Sequence, residues 1–172
     1  MSIDAVWATT VGVVKANLAY AEPLVFALGM AEGIPGLSLL VPSSALFLAI
    51  GSVHGASGGA FRDLWLAASV GAVAGDCLAY GLGRWLRHDV GRLRYFAVTP
   101  DALATGHAIF DRWGPFAVLG GKFTGFARPF VPVVAGVVNM HVPMFLASSV
   151  ISSLAWAGVF LAPGYGLKWL MD

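Results

Sequence analysis

The chain has 172 residues, 58% of them hydrophobic and only 11% charged, with a net charge of +1 and a mean hydropathy of +0.80. That apolar excess is well above what a soluble domain needs for its core, so the sequence reads as an all-α integral membrane protein. No nucleic-acid partner is expected.

The first stretch, MSIDAVWATTVGVVKANLAY, carries Asp4 and no basic residue before Lys15. It lacks the positive n-region of a cleavable leader and is expected to be retained, with Ser2 to Tyr20 lying along the membrane interface. From Glu22 an apolar run is interrupted by a glycine- and proline-containing break, Glu32 to Ser38, and resumes from Pro42 to Gly51. Neither limb crosses a membrane alone, because ten helical residues reach about 15 Å of a hydrocarbon core roughly 30 Å thick. The expectation is a helical hairpin that enters and leaves by the same face. Leu64 to Leu86 follows as a full span. Next come Arg84, Arg87, Arg92 and Arg94 beside His88, a basic excess that marks the connection 87–99 as cytoplasmic.

The second half repeats the plan. Thr99-Pro100-Asp101 opens an interfacial stretch running to Trp113. A short limb begins at Pro115, breaks from Gly120 to Gly125 and resumes from Pro129 to Gly136, and Val142 to Leu170 is the second span. The four limbs open at Pro23, Pro42, Pro115 and Pro129, as suits a residue whose missing N–H is unpaired at a helix start anyway. The chain 1–172 therefore reads as one membrane domain, with repeat one at about 2–86 and repeat two at about 100–170. An odd number of crossings per unit gives the copies opposite orientation, the layout of many transporters whose sites lie near the midplane at discontinuous helices.

Glu22, Glu32, Asp76, Lys122 and Arg128 are the intramembrane ionisable candidates. A charge at bilayer depth costs about 2.5–3.5 kcal/mol on insertion scales, so such residues face a protein interior or a wet cavity and serve a function. In GGKFTGFARPFVPVVAG, Arg128 offers a planar fork and Lys122 a compact charge for a phosphate group. Glu32 either belongs to that site, its protonation offsetting or releasing the cation charge, or forms a structural ion pair with Lys122 or Arg128. Glu22, just before Pro23, either titrates or caps its limb. Asp76, Tyr80 and Arg84 form a four-spaced row in which Asp76 reaches Tyr80, either as a proton relay or as a structural hydrogen bond. Ala67, Gly71, Gly75, Ala79 and Gly83 form a small-residue face for close helix contact. Ser43 and Ser44 either cap the second limb or touch an anion. Cys77 reads as a small buried filler. His54, His88, His107 and His141 share no metal-ligand spacing and read as loop or interface residues. No metal or cofactor is expected.

Glu32-Gly33-Ile34-Pro35 with Pro42-Ser43-Ser44, the GAVAGDCLAYGLGR run, GKFTGFARPFVPVVAG, and Trp156 with Gly164-Tyr165-Gly166 together resemble the DedA family, also called the SNARE-associated or VTT-domain family. The similarity covers about Glu22 to Gly166. It implies two facing re-entrant hairpins and movement of lipids between leaflets, including recycling of undecaprenyl phosphate in bacteria and phospholipid scrambling in eukaryotes. It also maps the family's acidic position to Glu32, its glycine-aspartate pair to Gly75-Asp76, and its two basic positions to Lys122 and Arg128. The chain departs from the pattern at Ser44, where an acidic residue is usual, and at Lys122 and Gly125, where arginine and proline are common.

The leading expectation is a non-enzymatic translocase of a lipid phosphate, a polyprenyl phosphate or a phospholipid, in the bacterial cytoplasmic membrane, with protons as a candidate coupling ion. The alternative is a lipid-phosphate phosphatase, because Lys122 to Pro129 resembles the lysine-to-arginine-proline element of the type-two phosphatidic-acid phosphatases. It misses that spacing by one residue, and the PSSA stretch lacks the histidine of the next element. A scaffold or assembly factor would leave the buried charges unexplained.

Overall fold

A computed structural model describes residues 20–35, 37–40, 43–87, 100–125 and 128–166. Among them every regular element is helical: α1 (Ala21–Gly33), α2 (Leu37–Leu40), α3 (Ser43–Ala56), α4 (Phe61–Leu86), α5 (Pro100–Trp113), α6 (Pro115–Gly121), α7 (Phe130–Val137) and α8 (Val142–Gly166). The interfacial stretch expected before Tyr20, most of the basic connection, Pro42 and the end of the second span lie outside the described residues.

Composition and punctuation account for these boundaries. Among the described residues, α4 and α8 are the two helices long and apolar enough to cross a membrane. α4 opens before the expected Leu64, at Phe61, with Asp63 in a first turn that favours negative charge. α1 ends at Glu32-Gly33, where Ile34 turns extended ahead of Pro35. α6 opens on Pro115 as expected, whereas Pro129 stands one position before α7, as its N-cap. Pro23 likewise falls within the first turn of α1 rather than at its first residue. Between α6 and α7, Gly125 adopts φ of 47°. Proline, locked near −65°, has no access to that backbone, so the glycine here gives this break a path that proline would not allow.

The helices pack crosswise. α1 lies on α4 while its following limb α3 lies on α8; α6 lies on α8 while its following limb α7 lies on α4; and α4 packs on α8. Each broken pair thus bridges both long helices, and exchanging the first pair and α4 for the second pair and α8 reproduces the same contacts. Small residues make the approach possible. A Cβ at Gly75 would stand 2.2 Å from the Met30 carbonyl oxygen of α1, and one at Gly83 would stand 2.0 Å from the Val133 carbonyl oxygen of α7. One glycine-lined stripe of α4 therefore receives a limb of each pair. The expected small-residue face is present, with Ala68 taking the fully buried position next to a partly buried Ala67.

Phe47, Leu64, Trp156 and Leu161 form the core between the first pair and the long helices, and Val133, Val134 and Phe145 anchor the second pair. Large apolar side chains also point outward: Val70, Leu78 and Trp85 from α4, and Ile151 and Val159 from α8. Such a belt suits contact with lipid rather than water. Trp65 Nε1 donates to the Leu154 carbonyl at 2.8 Å and ties the long helices together.

Candidate functional site: a buried charge cluster between two broken helix pairs

The two chain breaks bring opposite charges to one interior. Glu32 closes α1, where a carboxylate faces the negative end of its own helix and needs a cation to hold it. Arg128 supplies that cation from just ahead of α7: its Nη1 donates to Glu32 Oε2, and both side chains are buried. Lys122, at the C-cap of α6, has the favourable polarity for a helix end and turns inward to Asp76, midway along α4. Its Nζ donates to Asp76 Oδ2 at 2.5 Å and to Ser153 Oγ at 2.5 Å, and Ser149 Oγ donates to the same Asp76 oxygen at 2.6 Å. Glu32 interacts electrostatically with Lys122 and Asp76 as well as with Arg128, so the pairs form one cluster of two cations and two carboxylates.

Desolvating an ion costs several kcal/mol, and pairing with good hydrogen bonds offsets this. Lys122 and Asp76 meet that condition. Arg128 meets it on one side only. Its Nε and Nη2 are buried and have no hydrogen-bond partner among the described residues, although the side chain is only 9% exposed. Its guanidinium carbon lies 3.7 Å from the Trp156 ring centroid, so one face of the fork is covered by an aromatic ring. A buried donor without an acceptor costs about 1–3 kcal/mol, which an incoming oxyanion would recover.

The expected site residues divide accordingly. Glu32, Asp76, Lys122 and Arg128 come together. The structural pairing foreseen for Glu32 forms with Arg128, while Lys122 turns to Asp76. Tyr80 does not serve Asp76: its hydroxyl donates to the Met140 carbonyl at 2.5 Å and accepts from Arg84 Nη1 at 3.3 Å, fastening α4 to the turn before α8. The foreseen Asp76–Tyr80 bond is replaced because Lys122 and Ser149 reach the carboxylate from the opposite helices. Glu22 is exposed in the first turn of α1, away from the cluster, and makes no side-chain cap. Ser43 and Ser44 open α3, and their side chains lie outside the described residues.

His54 corrects the reading of the histidines as loop or interface residues. It is 4% exposed, and its Nδ1 shares a hydrogen bond of 2.5 Å with the Tyr165 hydroxyl, latching the end of α3 to the end of α8. His107 and His141 are exposed as expected, and His88 lies outside the described residues. Sequence reasoning missed Ser149 and Ser153 as site residues. Their signal was present: Ser148, Ser149, Ser152 and Ser153 repeat a serine pair four residues apart in an apolar span, and all four are buried.

An all-helical membrane protein that encloses paired charges between two interrupted helix pairs is the class that this fold and interior define. A family model for the VTT domain matches residues 34–166, and the chain belongs to that family, the DedA family. Over 134 residues it is 29% identical to the inner membrane protein YabI of Escherichia coli, covering 77% of this chain and 52% of YabI. It is 23% identical over 148 residues to an uncharacterized membrane protein of Buchnera aphidicola, covering 86% and 58%, and 38% identical over 100 residues to one of Mycobacterium tuberculosis, covering 56% and 43%. The chain thus spans about half the length of the curated relatives it matches. No solved structure matches it.

Proposed function

We propose that the protein is a lipid-phosphate translocase of the bacterial cytoplasmic membrane, carrying the phosphate headgroup of a polyprenyl phosphate such as undecaprenyl phosphate between leaflets. The observation that carries this reading is the half-satisfied Arg128: a buried guanidinium whose Nε and Nη2 have no partner among the described residues, beside a second buried cation. A purely structural ion-pair network gains nothing from leaving those donors unpaired.

In this reading each broken pair is a re-entrant hairpin, and the two enter from opposite faces so that their breaks meet at the midplane. The crosswise, interchangeable packing of the pairs on α4 and α8 supports that inverted arrangement. Irregular backbone is tolerated at membrane depth only where protein or a cavity covers it, and the described ends of the breaks at Glu32, Gly33, Lys122 and Arg128 are buried. The headgroup passes the cluster while its tail stays in lipid. Arg128 and Lys122 replace the phosphate's hydration, and Glu32 and Asp76 balance the cations while the site is empty. No covalent step is needed. The membrane potential, about 2.3 kcal/mol per charge per 100 mV, biases the direction of an anionic headgroup.

The test is headgroup exchange in proteoliposomes containing a fluorescent polyprenyl phosphate, read by quenching from outside. The natural protein is expected to exchange the lipid, and Lys122→Ala/Arg128→Ala at equal protein density is expected to lose exchange. Equal rates in the two would overturn the proposal.

A further inference from the structure

Resting on the lipid-phosphate reading, the geometry points to Trp156 as the positioning residue that orients Arg128, so that the anion docks on the Nε–Nη2 edge of the guanidinium while Glu32 keeps its bond to Nη1.

A guanidinium has two usable edges and two faces. Glu32 occupies Nη1, leaving Nε and Nη2, which together form the side-on edge suited to two parallel bonds to an oxyanion. What an exposed arginine loses in binding is the freedom of a long side chain. Here that freedom is already restricted. The Trp156 ring lies 3.7 Å from the guanidinium carbon, and stacking on a ring face fixes the plane of the fork without consuming a donor. Trp156 is itself held: it is 1% exposed, with Phe47 of α3 edge-on at 5.0 Å and 89°, and Phe160 of α8 at 5.1 Å. Phe47 belongs to the first broken pair and Arg128 to the break of the second, so the clamp is assembled only when both are seated on α8. Among the described residues no ring lies over Lys122. Its donors go to Asp76 and Ser153, which leaves Arg128 as the bidentate ligand and Lys122 as a point charge.

The test measures binding of farnesyl phosphate and of inorganic phosphate to the protein in nanodiscs, across Trp156→Phe, Trp156→Leu, Arg128→Lys and the combination Trp156→Leu/Arg128→Lys. Loss of a desolvated cation–π contact predicts that Trp156→Leu weakens farnesyl phosphate binding by roughly five- to thirtyfold, while Trp156→Phe, which keeps an aromatic face, stays within about threefold of the natural protein. In the Arg128→Lys background Trp156→Leu is expected to cost little more, because there is no fork to orient; a merely structural tryptophan would weaken both backgrounds equally, and that result overturns the inference. Inorganic phosphate following the same order assigns the effect to the headgroup rather than the tail, while an order seen only with the farnesyl chain makes Trp156 a tail contact and also overturns it. Failure of the natural protein to bind farnesyl phosphate removes the lipid-phosphate reading and this one with it, whereas natural binding with an indifferent Trp156→Leu removes this one alone.

Discussion

The Lys122 ammonium lies 2.5 Å from the Asp76 carboxylate, joining the break of the second helix pair to the middle of the first long helix. Removing one partner of a buried pair leaves an uncompensated charge, at a cost of about 3–5 kcal/mol. Asp76→Asn is therefore expected to lower the thermal stability of the purified protein sharply. Asp76→Asn/Lys122→Met, which removes both charges and roughly keeps the volume, is expected to recover most of it while failing to transport. Thermal unfolding in detergent checks the first statement and proteoliposome exchange the second; full transport by the double variant would make the pair structural only.

Glu32 shares its cation with the proposed anion. Glu32→Gln keeps the shape of the side chain and takes one negative charge from the cluster, so farnesyl phosphate is expected to bind several-fold more tightly, each tenfold corresponding to about 1.4 kcal/mol. In the natural protein a carboxylate at this position loses its charge as pH falls, so the gap between the two proteins narrows on acidification and transport by Glu32→Gln is flatter with pH. Binding and exchange compared across about pH 5.5 to 8 test both. Parallel pH profiles would assign any proton dependence elsewhere.

The glycine stripe of α4 makes a graded stability prediction. A methyl at Gly71 would stand 2.1 Å from the Phe26 carbonyl oxygen, whereas one at Gly81 meets nothing within 4 Å. Gly71→Ala is expected to destabilise by about 1–3 kcal/mol, the usual cost of overpacking, and Gly81→Ala to be neutral or stabilising by up to about 1 kcal/mol through helix propensity. Side-by-side melting curves decide it. Equal effects at the two sites would mean that α1 does not approach α4 this closely.

Topology can be read from cysteine labelling. On the proposed reading α4 crosses the membrane with Arg87 at its cytoplasmic end, so Arg87→Cys is expected to be shielded from an impermeant reagent in intact cells, while Arg62→Cys is labelled. If the first broken pair is re-entrant, Tyr20→Cys and Ala56→Cys label from the same side as Arg62→Cys. Opposite labelling of Tyr20→Cys and Ala56→Cys would make that pair a crossing.

Much of the layout was legible because it depends on composition along the chain. Length and hydropathy set α4 and α8, and proline and glycine set the breaks after Gly33 and Gly121, since these residues act on their own backbone. Charges in an apolar chain marked Glu32, Asp76, Lys122 and Arg128 as interior residues for the same local reason, that lipid offers them no solvation, although Glu22, marked by the same rule, stays exposed at the start of α1. Partner choice was not legible. Glu32 and Arg128 are 96 positions apart, and Lys122 and Asp76 are 46 apart; Glu32 was open to either cation, and Asp76 was matched to Tyr80 rather than to a cation.

Tertiary structure settled that choice through crosswise packing. With α1 and α7 sharing the glycine stripe of α4, Glu32 and the start of α7 converge; with α6 on α8, Lys122 is directed to Asp76 and Ser153. The same packing moved Tyr80 from Asp76 to Met140 and buried His54 against Tyr165. It also set Trp156 over Arg128, a contact between α8 and the break before α7 that no local periodicity encodes. The sequence by itself determined which residues had to leave the lipid, because the cost of exposing a charge or an open backbone is paid residue by residue. Which of them meet, and which donors of Arg128 stay open, was decided only where distant helices touch, because hydrogen-bond and ring contacts act over a few ångströms in space and carry no mark of their separation along the chain.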